Sequence, residues 1–204
     1  MAVLTDVGFV HLHVHSSYSL LEGSLRIANL LDLAKADHQP ALALTDTNNL
    51  FGALEFSEKL SGKGIQPIAG LQLSVCFEEP DPNARATPLK PGDRAQDIVL
   101  LAQSEEGYRN LMRLVSRAYF DVPLGDSPRL AAEHLAGHAE GLIALTGGFT
   151  GPLDLALRNG GRDDLVERRL ARLTRAFGDR LYVEIQRHGL DAERAVEGLS
   201  LIHI

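Results

Sequence analysis

Apolar residues recur at helical spacing in four stretches of the chain and alternate with polar residues in several others. Ile27, Leu30, Leu31 and Ala34 predict a helix capped by Ser24. A second helix is expected from about Asn49 to Lys59, with Gly62 and Gly64 ending it. Tyr108, Leu111, Met112, Val115 and Tyr119 form an apolar stripe and predict an amphipathic helix over 105–120. Val166, Leu170, Leu173 and Phe177 do the same over 163–178, with Arg168, Arg172 and Arg175 as its solvated face. A short helix near 130–136 and a last one from about Asp191 complete the set.

Strands are expected at 9–16, 41–44, 65–70, 97–102, 141–146 and 181–186. In 71–77 the apolar Leu71, Leu73, Val75 and Phe77 alternate with polar or small residues, which predicts one more, half-buried strand. Residues 78–96 hold four prolines and few apolar side chains and read as a surface loop or insertion. Helix and strand alternate repeatedly, which points to an α/β domain with a largely parallel sheet. The polar clusters (13–22, 46–49, Gln72, Gly147-Gly148, His188) follow strands, the arrangement by which an α/β barrel builds its site. Neither Gly-x-Gly-x-x-Gly nor a Walker loop occurs, so a nucleotide-binding doubly wound sheet is not supported.

Composition narrows the classes. The 204 residues suffice for one sizeable core, and 45% hydrophobic with 23% charged content is ordinary for a globular domain. The single Cys76 excludes an internal disulfide and fits a reducing compartment. No basic, apolar leader opens the chain and no stretch is long enough to span a bilayer, so a cytoplasmic location without membrane contact is expected. A net charge of −7 argues against strong nucleic-acid binding by this stretch alone.

The candidate chemistry centres on 9–16. On a strand, His11, His13 and His15 would share one face, opposite Val10, Leu12 and Val14. Two imidazoles two residues apart can grip one ion, and Glu22 lies close enough in sequence to bend back toward them.

His11-Leu12-His13-Val14-His15-Ser16, followed by Tyr18-Ser19-Leu20-Leu21-Glu22-Gly23, resembles the first motif of PHP (polymerase and histidinol phosphatase) domains. More narrowly it resembles those at the N-terminus of bacterial DNA polymerase III alpha subunits. Thr45-Asp46, Asn49-Leu50-Phe51-Gly52, Ile68-Ala69-Gly70, Gly107-Tyr108-Arg109-Asn110-Leu111 and Glu184-Ile185-Gln186-Arg187-His188-Gly189 agree in order and kind. The resemblance implies a distorted seven-stranded (βα) barrel with, in active members, a three-metal phosphoesterase site at the strand ends. His13 and His15 match that site's histidine pair, and Glu22 stands where an aspartate is usual. Thr47 and Asp97 replace expected histidines, Gln72 an expected glutamate and Gly148 an expected cysteine or histidine. The family's final Asp-x-His motif lies beyond residue 204.

With Thr47 and Gln72 in ligand positions, a two- or three-metal hydrolase is not expected. His13, His15, Glu22 and Asp97 are the remnant metal set, able to hold at most one weakly bound Zn²⁺ or Mn²⁺, and no residue is assigned to catalysis or cofactor binding. By the resemblance, the chain would be an incomplete PHP domain of a replicative polymerase, acting as structural platform for the proofreading exonuclease subunit. Its other partners would be the remaining polymerase III core and, through downstream domains, DNA, with Mg²⁺ serving the polymerase domain. The alternatives are a metal-dependent phosphoesterase or 3′–5′ exonuclease, free-standing or on an error-prone paralogue. Residues 200–204 do not match the family's continuation, and a barrel ending there would leave an open edge and low stability.

Overall fold

One strand of eleven residues sets the frame of the computed structural model, which describes residues 8–77, 95–158, 163–191 and 193–194. That strand, β2 (Gln66–Cys76), follows β1 (Ala41–Leu44) and precedes β3 (Ala95–Ala102), β4 (Leu130–Ala131), β5 (Leu142–Leu145) and β6 (Leu181–Tyr182). The helices are α1 (Ile27–Ala36), α2 (Ala53–Ser61), α3 (Glu105–Phe120), α4 (Pro152–Arg158) and α5 (Asp163–Phe177). Among the described residues the sheet runs β1-β2-β3-β5-β6, with β4 paired to β2 off that path.

The sheet is mixed rather than largely parallel. β1 and β4 pair parallel to β2, and β6 parallel to β5, but β3 runs antiparallel to both β2 and β5. The turn expected at Gly70 is absent, because Gly70 and Leu71 pair with Leu101 and Leu100 of β3 and the strand continues. β3 begins at Ala95, so Ala95 and Gln96 belong to the sheet and not to the expected loop. The remainder of that loop, 78–94, lies outside the described residues, as do 195–204. The 181–186 strand shortens to two residues, and 130–136 forms β4 followed by a 3₁₀ turn at Ala132–His134.

Alternation along the strands sorts side chains into two layers. Leu71, Leu73, Val75, Ile98, Leu100, Leu142 and Ala144 face α3 and α5, where they pack with Leu111, Leu114, Leu173 and Phe177. Leu42 and Leu44 pack with Ile27, Leu30, Leu31 and Ala34 of α1 and with Phe56 and Leu60 of α2. The opposite face carries Ala43, Val99, Leu101 and Leu145, joined by Ile68 and Ile143. Each fully buried Leu or Phe contributes about 1.5–3 kcal/mol, so both layers are needed to hold the sheet.

The helix readings hold in extent and shift in detail. α3 has the expected limits, with Ser104 capping it by accepting from the Gly107 N–H. Its buried face is Gly107, Asn110, Leu111, Leu114 and Ala118, whereas Met112 and Tyr119 are exposed. Met112 and Tyr119 therefore mark the stripe's edge, and Leu111 and Leu114 take its centre, fully buried against the sheet. α1 buries the four predicted residues, but Arg26, not Ser24, is its N-cap. α2 starts at Ala53, four residues later than expected. On α5, Arg168, Arg172 and Arg175 are exposed as read, while Arg169 is buried and donates to the Pro152 carbonyl.

Candidate functional site

Residues 9–16 form no regular strand, although the stretch bonds along β1 and the residue after it. The Ala43 N–H donates to the His11 carbonyl at 2.9 Å and the Thr45 N–H to the Val14 carbonyl at 2.8 Å. Donors two residues apart thus meet acceptors three residues apart. The extra residue is taken up by a bend at His13, which breaks the ladder as a bulge does. The Thr45 hydroxyl compensates by accepting from the Val14 N–H at 2.8 Å. Val14 packs on the α1–α2 side, while His11 and Leu12 are exposed. The expected three-histidine face reduces to His13 and His15, whose ring centroids lie 5.2 Å apart.

Period-two geometry brings the rest. Gln72, Ser74 and Asp97 share the inner face with Ile68 and Val99, and Ser74 pairs directly with Asp97. Because β3 is antiparallel to β2, Asp97 reaches the site from near the start of its strand, while Gln72 comes from within β2 and forms a parallel bridge with Thr47, which lies just past the end of β1. Gln72 is the hub. Its Oε1 accepts from His13 Nε2 at 2.7 Å and from His15 Nε2 at 3.1 Å. The second nitrogen of His13 donates to Glu184 Oε1 at 2.6 Å. Gln186 Nε2 donates to the same Glu184 oxygen at 2.9 Å.

Around this core the remaining named residues find other partners. Glu22 accepts from the Thr47 hydroxyl and stands 3.5 Å from His15 Nδ1. Asp97 accepts from Ser74 Oγ at 2.9 Å, and Ser74 is held in turn by Asn48. Gly148 has φ +54°, and a Cβ there would fall 2.6 Å from Gln186 Cδ. Gln186 therefore fills the space that a ligating side chain at 148 would need. His188 is not in the site, since it bonds Glu193 at 2.7 Å.

Burial opposes a charge on His13, but the hydrogen bond and charge of Glu184 and the bond to Gln72 outweigh it and raise its pKa above the ordinary value. His15 moves the other way, lowered by burial and by the neighbouring His13. Burial raises Asp97, with Glu22 adding to the effect and the hydroxyls of Ser74 and Thr150 opposing it.

This donor set does not fit a metal centre. A ligating imidazole offers a lone pair to the ion, and His13 Nε2 instead lies 2.7 Å from Gln72 Oε1, with Nδ1 held by Glu184 at 2.6 Å. Gln72 supplies no negative charge to offset a cation. Among the described residues no three His, Cys, Asp or Glu side chains are grouped so as to hold an ion. The structure brings His13, His15 and Glu22 together and places Asp97 on the same inner face, bonded to Ser74.

Three contributors lie in segments that match the family, yet no sequence signal assigned them a role in the site. Glu184 and Gln186 are the first two, polar residues at i and i+2 after a strand. The third is Asp46, 1% exposed, which accepts from Ser16 N at 2.7 Å, Ser16 Oγ at 2.7 Å and Ser19 Oγ at 2.6 Å. It pins the loop that carries His15 and Glu22.

Comparison with known proteins follows the same outline. A profile described as the PHP domain matches residues 11–188. The DNA polymerase III subunit alpha of Caulobacter vibrioides is 44% identical over 190 residues, 93% of this chain and 16% of that protein. That of Treponema pallidum is 44% identical over 200 residues, 97% of this chain and 17% of its own length. The chain thus spans about a sixth of the length of the curated relatives it matches. A candidate metal-dependent phosphoesterase of Bifidobacterium adolescentis shares the fold at TM-score 0.57 and 10% identity, over 95% of this chain and 84% of that one.

Proposed function

The chain belongs to the PHP domain family, and from that premise we propose that it is the PHP segment of a replicative DNA polymerase III alpha subunit, acting as scaffold and not as hydrolase. The polymerase assignment is supported by identities of 34–44% to proteins of that name over nearly the whole chain. In this reading the DNA-directed polymerase chemistry, with its Mg²⁺, belongs to other parts of the subunit. This segment supports the polymerase core and docks the proofreading 3′–5′ exonuclease subunit, in the cytoplasm.

The scaffold reading is carried by one observation: the Gln72 carboxamide oxygen receives both His13 Nε2 and His15 Nε2. A hydrolytic PHP site needs those nitrogens on metal ions, held with carboxylate support, to activate water. Here they are joined to a neutral side chain in a hydrogen-bonded cluster. Such a cluster ties strands together but generates no nucleophile. The remnant set His13, His15, Glu22 and Asp97 retains at most weak affinity for one Zn²⁺ or Mn²⁺.

The test has two parts. The alpha subunit carrying this segment should co-elute with the exonuclease subunit of its own organism. Metal-supplemented protein should hydrolyse p-nitrophenyl phosphate no faster than its His13→Ala variant. Metal-dependent hydrolysis lost in His13→Ala would overturn the scaffold reading in favour of a phosphoesterase.

A further inference from the structure

Beside the histidine pair, between the 16–22 loop, the entry to α2 and the end of α3, lies a cleft of about 560 Å³. Its rim is apolar. Tyr18, Leu20, Phe51 and Tyr119 line it, and Leu20 and Phe51 are 81% and 73% exposed. The Tyr18 and Phe51 rings meet edge to face at 6.5 Å. Leu21 and Phe120, next in the chain to Leu20 and Tyr119, are exposed as well. Large apolar side chains gathered around a concavity mark an interaction site more often than scattered ones do.

The lining also carries two carboxylates. Glu22 and Asp97 both line the cleft, among the neutral Thr47, Asn48 and Ser74. Arg129 is the lysine or arginine on the lining, and it is committed to Asp126 at 3.0 Å and to the Ser127 carbonyl at 3.1 Å. Asp97 takes its bond from a neutral hydroxyl, and Glu22 from Thr47 with the His15 ring at 3.5 Å. Two carboxylates on the lining repel phosphate, which disfavours a nucleic-acid backbone as occupant. Among the described residues no three or more His, Cys, Asp or Glu side chains are grouped so as to hold a metal ion.

We propose that this cleft docks a segment of a partner protein that presents an arginine or lysine flanked by large apolar side chains. The complement to two carboxylates beside exposed aromatic side chains is a cation on a long aliphatic stem. A guanidinium can stack on Tyr18, Phe51 or Tyr119 while its N–H groups reach Glu22. Burying the flanking apolar residues against Leu20 and Phe51 supplies affinity, and the charge supplies selection. The inference rests on the scaffold reading only in taking the partner to be a protein.

The probe is a random dodecapeptide library displayed on phage, selected against the immobilised full-length subunit that carries this segment. Enriched sequences should carry a basic residue between large apolar ones. A synthetic copy should lose about tenfold or more in affinity to the Glu22→Gln and Phe51→Ser variants, weaken as salt rises, and bind Arg172→Ala unchanged. Both principal substitutions lie at surface positions, so folding is not at stake, and circular dichroism checks it. The proposal is overturned by enriched peptides indifferent to both variants, by acidic winners, by no winner, or by a Phe51-dependent dimer in sedimentation. Exonuclease-subunit association, measured on the same proteins, separates the two readings. Association intact while the peptides fail removes the cleft assignment alone, and association absent from the parent chain removes the scaffold reading.

Discussion

Glu184 and His13 are separated by 171 positions in the chain and by 2.6 Å in space. His13 lies in the stretch that pairs with β1 at one end of the sheet, and Glu184 follows β6 at the other. The bond therefore ties the two ends of the strand order to each other across the site. Both side chains are largely buried, 16% and 11% exposed, so the contact is shielded from water and salt.

Removing one partner should be costly. Glu184→Ala leaves His13 buried without its counter-charge and is expected to destabilise the chain by about 2–4 kcal/mol. Urea titration of the variant against the parent measures it, and a loss below about 1 kcal/mol would show the pair to be dispensable.

The two histidines should titrate in a fixed order. His13 is raised and His15 lowered from the ordinary value, so His13 should hold its proton to the higher pH of the two. Carbon-detected NMR of the imidazole Cε1 groups reads both. Glu184→Gln should narrow the gap, since the hydrogen bond and charge of Glu184 are the chief causes raising His13. The linkage signs follow. The His13 contribution to stability is full below its unfolded value near about 6.5 and is lost as pH rises through the higher folded value. His15 acts oppositely, costing stability as pH falls below its unfolded value, because folding disfavours its charged form. A gap of the reverse sign would contradict the assigned network.

Metal should matter little. With both nitrogens of His13 held by Gln72 and Glu184, EDTA is expected to leave the melting temperature within about 2 °C, and equimolar Zn²⁺ or Mn²⁺ to shift it no further. Differential scanning calorimetry with elemental analysis decides the point; two or more tightly held ions per chain would refute the remnant-site account.

Asp46 should prove more important than the histidine pair for local order. Asp46→Ala strips three hydrogen bonds from the buried Ser16 and Ser19 and is expected to cost about 3 kcal/mol. Limited proteolysis should then cut first within 16–22. Asp46→Asn, which keeps one acceptor oxygen, should recover part of the loss. A variant as resistant as the parent would show the loop to be held by other means.

Much of the frame was legible because its signals are local. Helical spacing at Ile27, Leu30, Leu31 and Ala34 depends on neighbours within two turns, and those four residues are buried as the spacing predicts. The apolar run 41–44 and the limits of α3 were readable for the same reason. Where residue type misled, a longer-range contact had overruled it. Gly70 reads as a turn in isolation, yet pairing with Leu101 carries the strand through it.

The sequence by itself determined the mixed helix-strand content, the family and the loss of ligand side chains at Thr47, Gln72 and Gly148, since these are facts of composition and order. Only the tertiary structure decided what replaced the ligands. That β3 runs antiparallel and delivers Asp97 from its start, that Gln72 faces two imidazoles, and that Glu184 and Gln186 close the cluster all follow from strand direction and register. Those are settled by packing across 23 to 171 positions of chain, where no periodicity reaches.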